Sequence, residues 1–251
     1  MIEFNGIKSE AAGLRLLGKA EFSQAQRDIT EVVVPGRDGI VLISNERLDK
    51  INQNFSFRLK RIGSNTLEQQ MQVVKEWLDK PKGAFTSFLW EADELYQYQG
   101  RFISATYSRE NNVFMAVDIT FQFQPIKFLK AGLIPVTVTT GSTLKNIGKA
   151  VSNPAITLTG TGNVTLNINS KIYVFKNINE GIVVDSENEV VTSLDGYQPQ
   201  WDKAFNWPLP TLGIGDSKIS WDNSAFKVSI IPRWGCLYEL SDFISSWRDE
   251  F

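Results

Sequence analysis

Between residues 113 and 123 the chain places Val113, Met115, Val117, Ile119, Phe121 and Phe123 on one parity, with Asp118, Thr120 and Gln122 on the other. Period two sustained over that length is a long β-strand with one face in a core. The same alternation recurs at Phe55, Phe57 and Leu59, over Val164–Asn169, and over Phe226–Ile230. A chain carrying this pattern is mainly β. The spacing predicts a single interior helix: Leu67, Met71, Val74 and Leu78 fall at i, i+4, i+7 and i+11, with Asn65 as N-cap, Glu68 as its reciprocal partner and Pro81 and Gly83 as the stop. A second short helix is expected at the end, on Leu240, Phe243, Ile244 and Trp247.

The character of the sequence changes near Lys130–Pro135. Before it come the helix, long strands and many charges; after it come short Thr-, Gly- and Asn-rich segments at close spacing. The expected division is residues 1–132, an α+β domain with one packed helix, and residues 133–251, a β-sandwich closed by the short terminal helix.

The segment Val32-Val33-Val34-Pro35-Gly36-Arg37-Asp38-Gly39 reads as either a phosphate cradle or a chain reversal. A cradle is followed by a helix N-terminus aimed at the anion. Here Ile40-Val41-Leu42-Ile43 follows, which is strand-like, so Pro35, Gly36, Arg37, Asp38 and Gly39 are assigned to a structural turn.

Chemistry is narrowed by what the 251 residues lack. There is no histidine and one cysteine, so Ser-His-Asp and Cys-His machinery, a disulfide within the chain and the usual zinc ligand sets are excluded. The formal net charge of −2 gives no summed field for nucleic acid or an anionic membrane. No basic-then-apolar leader and no membrane-length apolar run is visible, so a soluble chain made in a cytoplasm is expected. Cys236 reads as a small buried hydrophobe. Glu91, Asp93 and Glu94 beside Trp90 and Tyr96 suggest a carboxylate hydrolase, against the simpler reading of an exposed turn. Asp185, Glu187 and Glu189 lack the order of a calcium loop and read as a hairpin tip. Trp201 and Trp207, in a Pro-, Asp- and Asn-rich stretch, are candidates for glycan stacking, against ordinary packing. Phe85, Phe88, Leu89, Trp90, Tyr96 and Tyr98 form a run too apolar for a free loop and are candidates for an oligomer interface.

The start Phe4-Asn5-Gly6-Ile7-Lys8-Ser9, the VVVPGRDG turn, the helix ending Glu76-Trp77-Leu78, and the long strand running into Phe123-Gln124-Pro125 together resemble the distal tail protein (Dit) family of long-tailed phages. In the second half, SNPAITLTGTGNVTLNIN, Ile182–Glu187 and Leu212–Ile219 resemble that family's galectin-like sandwich, with Asp216 or Ser217 where the family commonly has Asn. The resemblance implies a β-barrel-like, ring-forming belt domain followed by a galectin-like domain, with no enzymatic activity and no cofactor or metal. It implies a homo-hexameric ring at the distal tail tip of the virion, between the tail tube protein and the tip hub protein. Receptor-binding proteins dock on such rings in some relatives, DNA passes through the centre without specific binding, and no membrane is engaged. The reading kept beside it is a carbohydrate-binding module for host cell-wall or surface glycans.

Overall fold

A computed structural model describes residues 1–18 and 23–237. The expected terminal helix on Leu240, Phe243, Ile244 and Trp247 lies outside the described residues. The chain is mainly β, with one α-helix among the described residues, and its contacts divide it into two compact units, one built on Met1–Lys127 and a second on Phe128–Cys236.

In the first unit the elements run β1 (Ile2–Phe4), β2 (Ile7–Lys8), β3 (Leu14–Leu16), β4 (Arg27–Val32), β5 (Val41–Leu48), β6 (Ile51–Lys60), α1 (Leu67–Asp79), β7 (Thr86–Trp90), β8 (Tyr96–Arg109) and β9 (Phe114–Phe123), with β10 (Ile126–Leu129) following Pro125. The main sheet is antiparallel in the order β2-β1-β7-β8-β9-β6-β3. Strict alternation turns Phe55, Phe57 and Leu59 of β6 and Val117, Ile119, Phe121 and Phe123 of β9 to one buried face. There they meet Phe4 and Phe88 in a cluster of edge-on rings, with centroids 5.0 Å apart for Phe4–Phe121 and 4.8 Å for Phe88–Phe123. Edge-to-face contact sets a positive ring edge on a negative ring face, so the cluster gains more than area alone. Gly100 is needed opposite this cluster, because a Cβ there would lie 2.8 Å from the Phe123 ring. The β8–β9 reversal is closed by Asn111, whose Oδ1 accepts from the N–H groups of Val113 (2.8 Å) and Phe114 (2.9 Å).

The helix begins one residue later than its spacing predicts. Thr66, not Asn65, is the N-cap: its hydroxyl accepts from the Gln69 N–H (3.2 Å), and Gln69 Oε1 accepts from the Thr66 N–H (2.8 Å). This is a reciprocal capping box with Gln in the place assigned to Glu68. Leu67, Val74, Trp77 and Leu78 are buried, while Met71 is only half-buried at the edge of the stripe. Two polar bonds fix the helix as well: buried Gln70 donates to the Ala12 carbonyl (2.9 Å) and the Trp77 indole donates to the Phe4 carbonyl (3.3 Å).

The second unit is a two-sheet sandwich. Its strands are β11 (Val136–Val138), β12 (Thr143–Asn146), β13 (Ala155–Thr159), β14 (Gly162–Ile168), β15 (Lys171–Ile178), β16 (Gly181–Asp185), β17 (Val190–Ser193), β18 (Gly215–Trp221) and β19 (Lys227–Ile231). One sheet has the order β11-β19-β13-β16-β17 and the other β12-β18-β14-β15. Their inner faces close on Ile156, Leu158, Val164, Leu166, Phe175, Val184, Ile219, Val228 and neighbours. Asp185–Asn188 is a hairpin tip: Asp185 Oδ1 accepts from the Glu187 and Asn188 N–H groups (3.1 and 3.2 Å). Arg233 adds a two-pronged ion pair to the same carboxylate, with Nη2 to Oδ2 at 2.9 Å. Burial alone would raise the Asp185 pKa, but the bonds from Arg233 and Asn188 outweigh it and hold the group below its ordinary value.

Leu78→Ala is expected to cost about 2–5 kcal/mol in denaturant unfolding, and Thr66→Ala about 1 kcal/mol through the lost cap. The depressed Asp185 pKa makes its contribution fully present above the unfolded value of about 4 and lost as pH falls through the folded value. Asp185→Asn is therefore expected to destabilise the chain by about 1.5–3 kcal/mol at neutral pH, with the difference from wild type shrinking below about pH 4 in acid melts.

Candidate functional site: a free two-stranded arm

The turn assigned to Pro35–Gly39 is the tip of a separate structure. β4 and β5 form a two-stranded sheet of their own, with Thr30 opposite Ile43, Glu31 opposite Leu42 and Val32 opposite Val41. At the tip, the Arg37 N–H donates to the Val34 carbonyl (3.2 Å), and Gly36 has φ +81°. Pro at the second position and positive-φ Gly at the third make a type II turn, and Gly39 at φ +82° completes the reversal. The base is held where the Ser23 N–H donates to Gln53 Oε1 on β6 (3.1 Å) and the Asp49 N–H to the Gln26 carbonyl (2.8 Å). Beside it Arg47 pairs with Asp28, and the bond from Arg47 lowers the Asp28 pKa.

Directly opposed residues share a face, so one face of the arm carries Ile29 and Leu42 and the other carries Ile43, Val32 and Val41. Both faces meet water: Leu42 is 58% exposed, Val33 at the tip is 74% exposed, and Ile29, Val34, Ile40 and Ile43 are exposed as well. An isolated hairpin is marginal in water, and its unpaired edges are a template for further pairing. Among the described residues no third strand pairs with this arm, and it carries exposed apolar residues on both faces.

The apolar run after α1 divides by parity. On β7, Phe88 and Trp90 point into the aromatic core while Leu89 lies half-buried on the other side. Tyr96 and Tyr98 of β8 are buried too, so these four side chains are committed to the subunit's own interior. Phe85 and Leu89 are what the run leaves at the surface, with the Arg101 guanidinium 5.4 Å over the Phe85 ring.

Of the acidic residues nearby, Glu91 and Asp93 are engaged, while Glu94 is exposed. Asp93 accepts from buried Lys127 (2.7 Å) and from the Tyr98 hydroxyl, and Lys127 also sits 3.9 Å over the Tyr96 ring. Glu91 accepts from the α-amino group of Met1 (2.6 Å), which lowers its pKa. This arrangement ties Glu91 and Asp93 to separate cations, Met1 and Lys127. Among the described residues there is no cluster of three or more metal-ligating side chains, and no helix is long and apolar enough to cross a membrane. Cys236 is buried.

Trp201 and Trp207 lie on the segment between β17 and β18, with ring centroids 6.2 Å apart and an interplanar angle of 20°. The exposed arm faces and this ring pair are the two surfaces that alternation alone does not reveal in full; the β-branched run around Pro35–Gly36 was the available signal for the first.

No protein-family model and no curated protein matches the chain. Among solved structures it is similar to SPP1 Dit, described as a paradigm of the hub adsorption apparatus in phages infecting Gram-positive hosts. The TM-score is 0.65 at 17% identity, covering 91% of this chain and 96% of that one. It is also similar to a chain of the phage p2 baseplate in its activated conformation, with TM-score 0.48 and 10% identity over 86% of this chain and 90% of that one.

Gly39→Val is expected to strain the tip at positive φ. Because a Cβ there meets nothing within 4 Å, the effect should stay in the arm. Amides of β4 and β5 should exchange faster while the main calorimetric transition stays unmoved. A lowered main transition would show that the arm is part of the unit's cooperative core. Across 91% of its length this chain has a fold similar to that of SPP1 Dit, and its first unit carries a separate two-stranded β-arm.

Proposed function

We propose that this chain is a non-enzymatic structural subunit of a phage tail tip, closing into a ring of six copies that joins the tail tube protein to the tip hub and the receptor-binding apparatus. DNA passes through the ring without specific binding. The first unit is the belt, and the second unit is available to tip partners. The protein is made in the host cytoplasm and works at the distal end of the virion's tail.

The observation that carries the reading is the β4–β5 arm. Its apolar faces and open edges need cover that the described residues do not supply. A ring is built from heterologous contacts, in which one surface of each copy meets a different surface of the next. An arm projecting from one copy onto its neighbour is such a contact, with Phe85 and Leu89 the surface remnants of the aromatic run that can contribute to it. The likeness to SPP1 Dit supports placing such an assembly at a hub of adsorption apparatus.

Purified full-length chain, viewed by electron microscopy alone and with tail-tube and hub partners, is expected to form closed rings whose population rises with concentration. Ile29→Asp with Leu42→Lys should abolish the rings without lowering the melting temperature of the subunit. A monomer under all of these conditions would refute the ring, and rings that survive both substitutions would refute the arm as its contact.

A further inference from the structure

A second surface, in the other unit, carries chemistry that the ring reading does not use. The segment between β17 and β18 crosses the edge strands of both sheets of the sandwich and is pinned to each. Gln200 donates its N–H to the Val191 carbonyl (2.8 Å) on β17, and Phe205 donates to the Val174 carbonyl (3.0 Å) on β15. Val174 in turn donates to Asn206 Oδ1 (2.7 Å). These bonds cover two strand edges that would otherwise invite pairing, and they need none of the aromatic side chains. Yet Trp201 and Trp207 stack on one another and are still 52% and 50% exposed, with Tyr197 and Phe205 exposed on the same segment. Large rings held in water by a rigid backbone are a preformed platform, and a ligand stacking on them pays little to order it.

The occupant is indicated by charge and by area. The charged groups of the platform cancel: Asp202 pairs with Lys203 (2.8 Å), Asp195 is bonded to Ser193 and Tyr197, and Lys176 lies over the Phe205 ring (4.7 Å). A polyanion or polycation would find no net attraction there. Two half-exposed tryptophans, each about 250 Å² at most, present no more than roughly 250 Å² of surface between them. That is far below the roughly 800 Å² per partner of a stable protein contact, and suits a small ligand. Neutral hydrogen-bonding side chains flank the rings in sequence: Gln200 before Trp201, and Asn206 before Trp207, with the Asn206 amide –NH2 left to donate while its Oδ1 accepts from Val174. Flat apolar rings next to neutral donors and acceptors match a pyranose, which has C–H groups on its face and hydroxyls at its rim.

We propose that Trp201 and Trp207 form a binding platform for neutral hexopyranosyl oligosaccharides. The platform belongs to the second unit and stands whether or not the first unit closes into a ring.

The test uses the full chain on immobilised cellohexaose, chitohexaose and maltohexaose, with poly(glycerol phosphate) as the anionic comparison, followed by calorimetric titration of the retained sugar. At least one neutral sugar should be retained, and Trp201→Ala and Trp207→Ala should each weaken it by about tenfold or more with the melting temperature unchanged. Trp→Phe at either position should keep part of the affinity. If alanine lowers the melting temperature, leucine variants, which keep apolar volume without a ring face, decide instead. Retention of none of the three neutral sugars, retention of the anionic polymer alone, or retention that survives both Trp substitutions would each overturn the proposal.

Discussion

A two-stranded β-sheet on its own is marginally stable in water. Each of its edges offers unpaired N–H and C=O groups, and two strands give no second layer against which to bury a face. Among the described residues the β4–β5 arm pairs with no third strand, and its composition leaves apolar surface exposed: Ile29 and Leu42 line one face, Ile43 the other, and Val33 and Val34 run to the tip. A turn so firmly specified by Pro35, Gly36 and Gly39 keeps these residues in register although little else packs on them. The chain therefore spends strong local sequence signals on a feature whose apolar surface is not used within the described residues.

The arm leads into a sheet that is fully paired. β5 leads into β6 through Asp49 and Lys50, and β6 is paired along its length with β9, residue for residue from Ile51–Phe123 to Lys60–Phe114. The interlocked rings of Phe4, Phe55, Phe88, Phe121 and Phe123 fill the face behind that pairing. The helix braces the same unit through Trp77 and Gln70, each bonded to a backbone carbonyl of the N-terminal segment. A stiff root and an uncovered tip are what a contact between separate copies requires: the root fixes direction, and the tip retains the free energy of burial for association.

Much of this was legible in the sequence, and the failures have physical causes. Period-two runs located β6, β9, β14 and β19 because each has one face in a core, where alternation is enforced. The turn was legible because Pro and positive-φ Gly have few other uses. The helix register slipped by one residue, since Asn65 and Thr66 are both good caps and only the bond to Gln69 distinguishes them. By composition the run Phe85–Trp90 is a candidate interface; β7 lies between β1 and β8, which gives Phe88 and Trp90 a core to enter and leaves Phe85 and Leu89 nearer the surface. Sequence patterning cannot show strand order, so it could not say that this run was central. The pairing of Trp201 with Trp207 was equally invisible, because it depends on bonds from the segment to β15 and β17 rather than on any local period.

The most direct measurement of the central claim is amide hydrogen exchange across β4 and β5 as the protein is concentrated from dilute monomer into its assembled state. The account predicts fast exchange of the arm in the dilute chain and strong protection on assembly, while the β6–β9 ladder is protected throughout. Arm amides equally protected at all concentrations would contradict it, because the arm would then be complete without a neighbour.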